Sequence, residues 1–301
     1  MSENRILARI RRRARLPVGA GLALGIGDDC AVFRPTSNRE DLVFTTDLLL
    51  EDVHFKRDTH SAADIGWKTL ARGLSDIAAM GAEPRFCLVS LAVSHDLSER
   101  WIDGFYSGLL ALARRYGTPL AGGDLARAAK IACDIVVCGS VPRGRALLRS
   151  GARPGDRIYV SGLLGGSALG LETLRGRALK RHLRPAPRLE LGRYLRQRLA
   201  ATAAMDLSDG LSIDLHRLCM ESRAAAELDA PLPVFPGASL DQALHGGEDY
   251  ELLFTLPPDR NPPAFFNGLP LTRIGFVRRG APGRVTFFGR PLPPGGWDHF
   301  R

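Results

Sequence analysis

Apolar positions along the chain fall into short continuous runs and helical stripes that alternate. Residues 41–47 (DLVFTTD) read as a strand ending in a carboxylate, and residues 62–80 as a helix. Its apolar stripe is Trp67, Leu70, Ala71, Leu74, Ile77 and Ala78. Lys68, Arg72 and Asp76 fall at i, i+4 and i+8 on the opposite, polar face. FCLVSLAV (86–93) reads as a buried strand, and Ser98 as the cap of a helix carrying Ile102, Phe105, Leu109 and Ala113. LAGGD reads as a short strand running into a glycine turn, and residues 131–141 as another strand.

The composition then shifts. Residues 142–156 (PRGRALLRSGARPGD) are rich in Pro, Gly and Arg and mark a boundary, with domains expected at 1–145 and 146–301. Beyond it, RIYVSG (157–162) reads as a strand followed by the Gly-rich turn LLGGS and a helix, and residues 187–200 as a further helix. AAMD reads as a strand end, with a helix starting at Ser208 that buries Leu211, Leu215, Leu218 and Cys219. Late strands are expected at YELLFTL, LTRIGFV and RVTFFG. Strands and helices alternate in both halves, so the expected class is α/β or α+β.

Bulk properties narrow the function. With 45% hydrophobic residues and a mean hydropathy of −0.05, the chain belongs with water-soluble globular proteins. It has no run of about 20 apolar residues that would span a membrane. The basic N-terminus reads as an amphipathic helix from Ser2, with Ile6, Leu7 and Ile10 on one face, and lacks the apolar core of an export signal. Five cysteines without a CxxC pair suit buried free thiols in a reducing cytoplasm. The net charge of +9 invites a nucleic-acid reading. However, the excess is almost all arginine, scattered along helices without interleaved aromatic platforms. The expectation is therefore no nucleic-acid partner and a field that draws in an anionic substrate.

Against that basic background, seven aspartates stand in Gly- or Ser/Thr-flanked segments. They are Asp28 and Asp29 in GIGDDC, Asp47 in TTD, Asp76 in LSDIAAMGA, Asp124 in AGGD, and Asp206 and Asp209 in MDLSDG. Carboxylates gathered together disfavour joint ionisation. Such a gathering is sensible around Mg²⁺, which takes carboxylates, water and substrate phosphates. Glycines beside Asp124 would permit close backbone approach. Ser208 and Asp209 would lie at a helix N-terminus, which favours both capping and phosphate binding. Asp76 could instead pair with Arg72 one helical turn away. HGGEDYELLF repeats the theme with Glu248 and Asp249 before a buried strand. Neither a P-loop nor protein-kinase motifs, a zinc-spaced histidine pair or a GxSxG elbow is present. The residues point to Mg²⁺-dependent phosphoryl transfer.

Taken in order, these segments resemble the thiamine-monophosphate kinase family, within the aminoimidazole ribonucleotide synthetase-like superfamily. The resemblance runs from GIGDDCAVF through TTDLLLEDVHF, WKTLARGLSDIAAMGAEP, LAGGD, HLRPAPR, AMDLSDGLSIDL and GGEDYELLFT to GWDHF, nearly the whole chain. It implies ATP-dependent phosphorylation of thiamine monophosphate to thiamine diphosphate in the cytoplasm, with several Mg²⁺ ions and ATP as co-substrate. It also implies a homodimer in which the N-terminal sheets pair, with a C-terminal α/β domain over the cleft. By position, Asp29, Thr45, Thr46, Asp47, Asp76, Asp124, Asp206 and Asp209 would bind metal. Gly123, Asp124, Arg149 and Ser208 would touch ATP. His54, Glu248 and Trp297 would face the thiamine phosphate, Trp297 offering an aromatic face to the cationic thiazolium. Asp47, Asp124, Asp209 and Arg149 would carry the transfer. Three departures from the family pattern are Leu125-Ala126 after AGGD, Asp52 where a glycine is common, and a short segment between Ala230 and the GGED motif.

Other readings remain at this point. A sister ATP-dependent enzyme, such as an aminoimidazole ribonucleotide synthetase, would share the fold. Selenophosphate synthetase would need a reactive Cys before Cys30, and the hydrogenase-maturation relative a C-terminal cysteine. A non-catalytic metal- or nucleotide-binding protein and an RNA-binding protein are the readings from other classes.

Overall fold

The structure, a computed structural model, describes residues 21–36 and 38–299. The helix expected from Ser2 lies outside them. The first half is built on a six-stranded sheet, ordered β1-β2-β3-β6-β4-β5. Its strands are β1 (Leu22–Leu24), β2 (Ala31–Phe33), β3 (Glu40–Leu50), β4 (Glu83–Val93), β5 (Leu120–Arg127) and β6 (Ala132–Pro142). Neighbours run antiparallel except β4 and β5. Two helices cover one face, α1 (Ala62–Ala79) and α2 (Glu99–Tyr116).

Helix α1 starts where the sequence says it should. The Ser61 hydroxyl accepts the Asp64 N–H at 3.2 Å, and the Asp64 carboxylate accepts the Ser61 N–H at 3.3 Å, closing a capping box. Gly66 lets its backbone meet that of α2: a Cβ there would fall 1.9 Å from the Phe105 carbonyl oxygen. Leu70, Ala71, Leu74, Ile77 and Ala78 are buried as the periodicity predicts, and Trp67 is half-buried with its indole N–H on the Pro185 carbonyl. The face carrying Lys68, Arg72 and Asp76, however, is not a solvent face. It is turned toward the second half of the chain, and Lys68 is fully buried.

That second half carries a larger sheet, ordered β14-β13-β9-β12-β7-β10-β8, with β11 paired to β12. Its strands are β7 (Arg157–Ser161), β8 (Ala203–Asp206), β9 (Ala225–Leu228), β10 (Leu252–Leu256), β11 (Phe265–Phe266), β12 (Leu269–Arg278), β13 (Val285–Phe287) and β14 (Arg290–Pro291). Its helices are α3 (Gly166–Thr173), α4 (Gly176–Leu183), α5 (Leu189–Tyr194), α6 (Leu211–Glu221) and α7 (Leu240–His245). The halves are joined by a shared core. Leu189, Leu191, Leu195, Ala204, Leu252 and Phe254 belong to the same apolar cluster as the α1 and first-sheet residues. A Cβ on Gly192 of α5 would lie 1.9 Å from the Ala78 carbonyl oxygen of α1, so these two helices also touch backbone to backbone.

The structure corrects several local expectations. AGGD is not a strand running into a turn: β5 continues through it as an exposed edge strand. The helix expected over 187–200 is split into α5 and a π-helical turn at Leu195–Leu199. Ser208 is not a helix cap. Gly210 occupies that position, and the side chain of Asp214 accepts the N–H groups of Asp209 and Gly210 at 3.0 and 3.1 Å. Gly210 is required there because its φ is 120° and a Cβ would lie 2.9 Å from the His245 carbonyl carbon. Asp52, where the family pattern has glycine, adopts φ 65°, a conformation that aspartate tolerates better than most residues. The five cysteines are buried and unpaired, as expected.

Candidate active site

A cleft of about 340 Å³ runs between the two halves. Its walls come from β3 and the loop after it, the inner face of α1, the end of β8, the turn before β10 and the C-terminal segment. Strand alternation decides which side chains of TTD reach it. Thr45 and Asp47 point toward α1: the Thr45 hydroxyl donates to Asp76, and Arg72 Nη2 lies 2.8 Å from Asp47. Arg72 therefore serves Asp47 rather than Asp76.

Three carboxylates converge at one end. Asp29 arrives on the turn between β1 and β2, Asp76 on α1, and Asp206 at the last position of β8. They offer oxygens that all lie within 4.8 Å of one another. Ser75 donates to Asp206 at 2.6 Å. Arg149, in a 3₁₀ turn, grips Asp29 with its guanidinium, and its backbone N–H donates to Asp28 at 3.0 Å. Asp209 follows Asp206 in the next turn, paired with Arg217.

Electrostatics show that this end is short of positive charge. Burial holds the carboxyls of Asp76 and Asp206 well above the usual carboxylate range. Nearby Asp47, Asp206 and Asp29 push Asp76 further, and Asp29 does the same to Asp206. Burial raises Asp47 too, against the pull of Arg72. Asp28 is pushed up to about 7, by burial and by Asp29. Hard oxygen donors, buried close together and resisting ionisation, are the donor set a divalent cation relieves.

The other end is lined by His54, His182, Glu248, Tyr250, Trp297 and His299. Glu248 is held by a buried ion pair with Lys68 at 2.9 Å. Burial would raise its carboxyl, but Lys68, His182 and Arg72 outweigh that and bring it down to about 2. Burial lowers His54 to about 4, so its ring is neutral near pH 7. Trp297 is half-exposed at the mouth, and its backbone N–H donates to the Asp209 carbonyl at 3.0 Å, tying the C-terminal segment to the aspartate turn.

The cleft thus gathers most of the residues singled out in the sequence: Asp47, Asp76, Asp206, Ser208, Asp209, His54, Glu248 and Trp297. Thr45, Asp29 and Arg149 contact these directly or back them. It does not gather Thr46, Gly123 and Asp124. Thr46 lies on the opposite face of β3, donating to Asp134 at 2.7 Å. Asp124 lies on the exposed edge strand, beside a shallow depression with Leu48, Ser90 and Asp134. Sequence reasoning missed Lys68 and His182. A lysine opposite an apolar stripe looks solvated, and the one available signal for His182 was its place in HLRPAPR.

Comparisons with known proteins bear on the family and the fold. Residues 27–141 match the family model for AIR synthase related protein, N-terminal domain. The thiamine-monophosphate kinase of Escherichia coli (strain K12) is 40% identical over 324 aligned positions, covering 96% of this chain and 94% of that protein. The structure of AaThiL complexed with AMPPCP and TMP superposes with a TM-score of 0.88 at 32% identity, covering 99% of this chain and 97% of that one. The thiamine-monophosphate kinase structure from Stenotrophomonas maltophilia K279a superposes with a TM-score of 0.78 at 39% identity, covering 96% and 98%.

Proposed function

The chain belongs to the thiamine-monophosphate kinase family, and from that premise we propose that it transfers the γ-phosphoryl group of ATP to thiamine monophosphate, giving thiamine diphosphate and ADP. The observation that carries this reading is the convergence of Asp29, Asp76 and Asp206, from three separate segments, at the end of a cleft whose other end is lined by Glu248, His54 and Trp297.

Donor and acceptor are both phosphates and repel, so the chemistry depends on neutralisation and in-line positioning more than on a general base. The acceptor needs little deprotonation, since a phosphate monoester's second pKa is about 6. In this reading Asp29, Asp47, Asp76, Asp206 and Asp209, helped by Thr45, would hold Mg²⁺. Bound Mg²⁺ would supply charge stabilisation for the transferring phosphoryl group. Arg149 orients Asp29 and adds positive charge at the same end. Ser208 sits in the aspartate turn, where it would meet the nucleotide. Glu248, His54 and Trp297 would take the thiamine moiety.

The reading includes a homodimer. The face of the first sheet away from α1 exposes Leu48 and Leu88, and the edge strand exposes Leu125. Antiparallel sheets commonly pack one face on a core, and an apolar second face calls for a partner. Thr46, Gly123 and Asp124 lie on this face and edge, so a role for them in metal or nucleotide binding would depend on how a second copy packs there. Domains at 1–145 and 146–301 and a cytoplasmic location complete the reading. Among the described residues no helix is long and apolar enough to cross a membrane.

The test is product identity. Incubation with ATP, Mg²⁺ and thiamine monophosphate should yield thiamine diphosphate, resolved by chromatography. Asp206→Asn, which can keep its bond from Ser75, should cut the rate by about 100-fold or more with the fold retained. A near-normal rate in that variant would remove Asp206 from the metal site, and no thiamine diphosphate from the unaltered protein would remove the function.

A further inference from the structure

Four residues lining the cleft, His54, Arg72, His182 and Glu248, each carry a buried polar atom with no protein partner, and for His54 Nε2 and Glu248 Oε1 the hydrogen-bonding sense is fixed by what surrounds them. His54 Nδ1 accepts the Leu50 N–H at 3.0 Å. The neutral ring therefore carries its proton on Nε2, and that N–H is buried with no acceptor. Glu248 is the complement. Its Oε2 takes the Lys68 ammonium at 2.9 Å, while Oε1 is buried with no donor. Glu248 sits at φ 64° and is pinned by its own N–H on the Ser208 carbonyl at 2.7 Å, so its position is set by the fold. Lys68 joins the two: its Nζ also reaches the His54 carbonyl at 3.3 Å. One fully buried ammonium thus holds an acceptor from the second half of the chain and a donor from the first.

Unsatisfied buried groups of this kind cost free energy until a ligand pairs with them. We propose that Lys68 is a positioning residue that sets Glu248 Oε1 and His54 Nε2–H as an acceptor–donor pair for the amidine-like edge of the substrate's aminopyrimidine ring. The exocyclic amino group donates to Glu248 Oε1, and the adjacent ring nitrogen accepts from His54. The inference rests on thiamine monophosphate being the acceptor substrate and adds which edge of it is read. It also names what is rejected. In the 4-oxo analogue the amino group becomes a carbonyl and the neighbouring nitrogen carries a proton. Carbonyl then faces carboxylate, and N–H faces N–H. A site built to hydrogen-bond one pattern discriminates strongly against its inverse.

The experiment compares kcat/KM for thiamine monophosphate and for its 4-oxo analogue at saturating MgATP. The unaltered protein should prefer thiamine monophosphate by about 100-fold or more. Lys68→Met should shrink the preference to below about 10-fold, raising KM for thiamine monophosphate while leaving KM for ATP unchanged. Glu248→Gln, whose carboxamide can donate to the carbonyl, should shift the preference toward the analogue and serves if Lys68→Met does not fold. Equal use of the two acceptors by the unaltered protein, or full preference in a folded Lys68→Met variant, overturns the inference and leaves the kinase standing. No turnover of thiamine monophosphate by the unaltered protein overturns the functional reading itself, and the inference with it.

Discussion

Asp28, Asp76, Asp206 and Asp214 are costly residues for a metal-free protein, and the cost has a sign that can be measured. Burial raises all four above the ordinary carboxylate range, Asp28 and Asp214 to about 7, and Asp76 and Asp206 well above their usual value. The folded state therefore binds protons that the unfolded state does not, and stability recovers as pH falls through these values. His54 and His60, lowered by burial to about 4, and His182, lowered by burial to about 3, act in the opposite direction. They do so as pH falls through about 6.5, where unfolded histidines are half-protonated, so their opposing effect is small over most of the range above that pH. In EDTA, the thermal midpoint should rise, on the order of 5 °C, as pH is lowered from about 8.5 to 6.5. Saturating Mg²⁺ should produce a similar rise at the higher pH and flatten the dependence. A midpoint that falls on acidification over that window would contradict the account of these side chains.

At the scale of elements, α1 is the pivot. It packs on the first sheet, on α2, on α5 and against the cleft, and its sequence meets each neighbour differently. Gly66 permits the approach to α2, where a methyl group would strike the Phe105 carbonyl. Gly66→Ala should therefore destabilise the protein by about 1–3 kcal/mol, seen as a lower urea midpoint; an unchanged midpoint would show that the helices can part without cost. The apolar stripe of α1 and the strands at 40–50, 83–93 and 132–142 were legible because burial imposes periods of 3.6 and 2 on sequence. Two local features were not. Ser208 carries every local mark of a cap, yet the cap falls on Gly210, a position where the backbone of His245 leaves no room for a Cβ. AGGD looks like a turn, but its glycines lie within an edge strand, where Gly123 lets the backbone pass close to the Val89 carbonyl. Both are tertiary facts that local propensity cannot report.

For the whole molecule, the site exists only because the halves share a core. Asp29, Asp47 and Asp76 come from the first, Asp206, Asp209 and Glu248 from the second, and the buried Lys68–Glu248 pair crosses between them. The identity of the aspartates was legible as carboxylates in unusual settings. Which of them meet was not, because β3 sends Thr45 and Asp47 to one face and Thr46 to the other, while β5 carries Asp124 to an edge. Lys68 was hidden for a related reason: on a helix walled in by a second sheet, the polar face faces protein. The central claim is that this two-sided cleft moves phosphate onto thiamine monophosphate. Its most direct test is the initial rate of ADP release with ATP and Mg²⁺, measured with thiamine monophosphate, with free thiamine, with the ribonucleotide substrate of aminoimidazole ribonucleotide synthetase, and with no acceptor. The account predicts release only with thiamine monophosphate, abolished by EDTA. Release that needs no acceptor, or that follows the ribonucleotide instead, would contradict it.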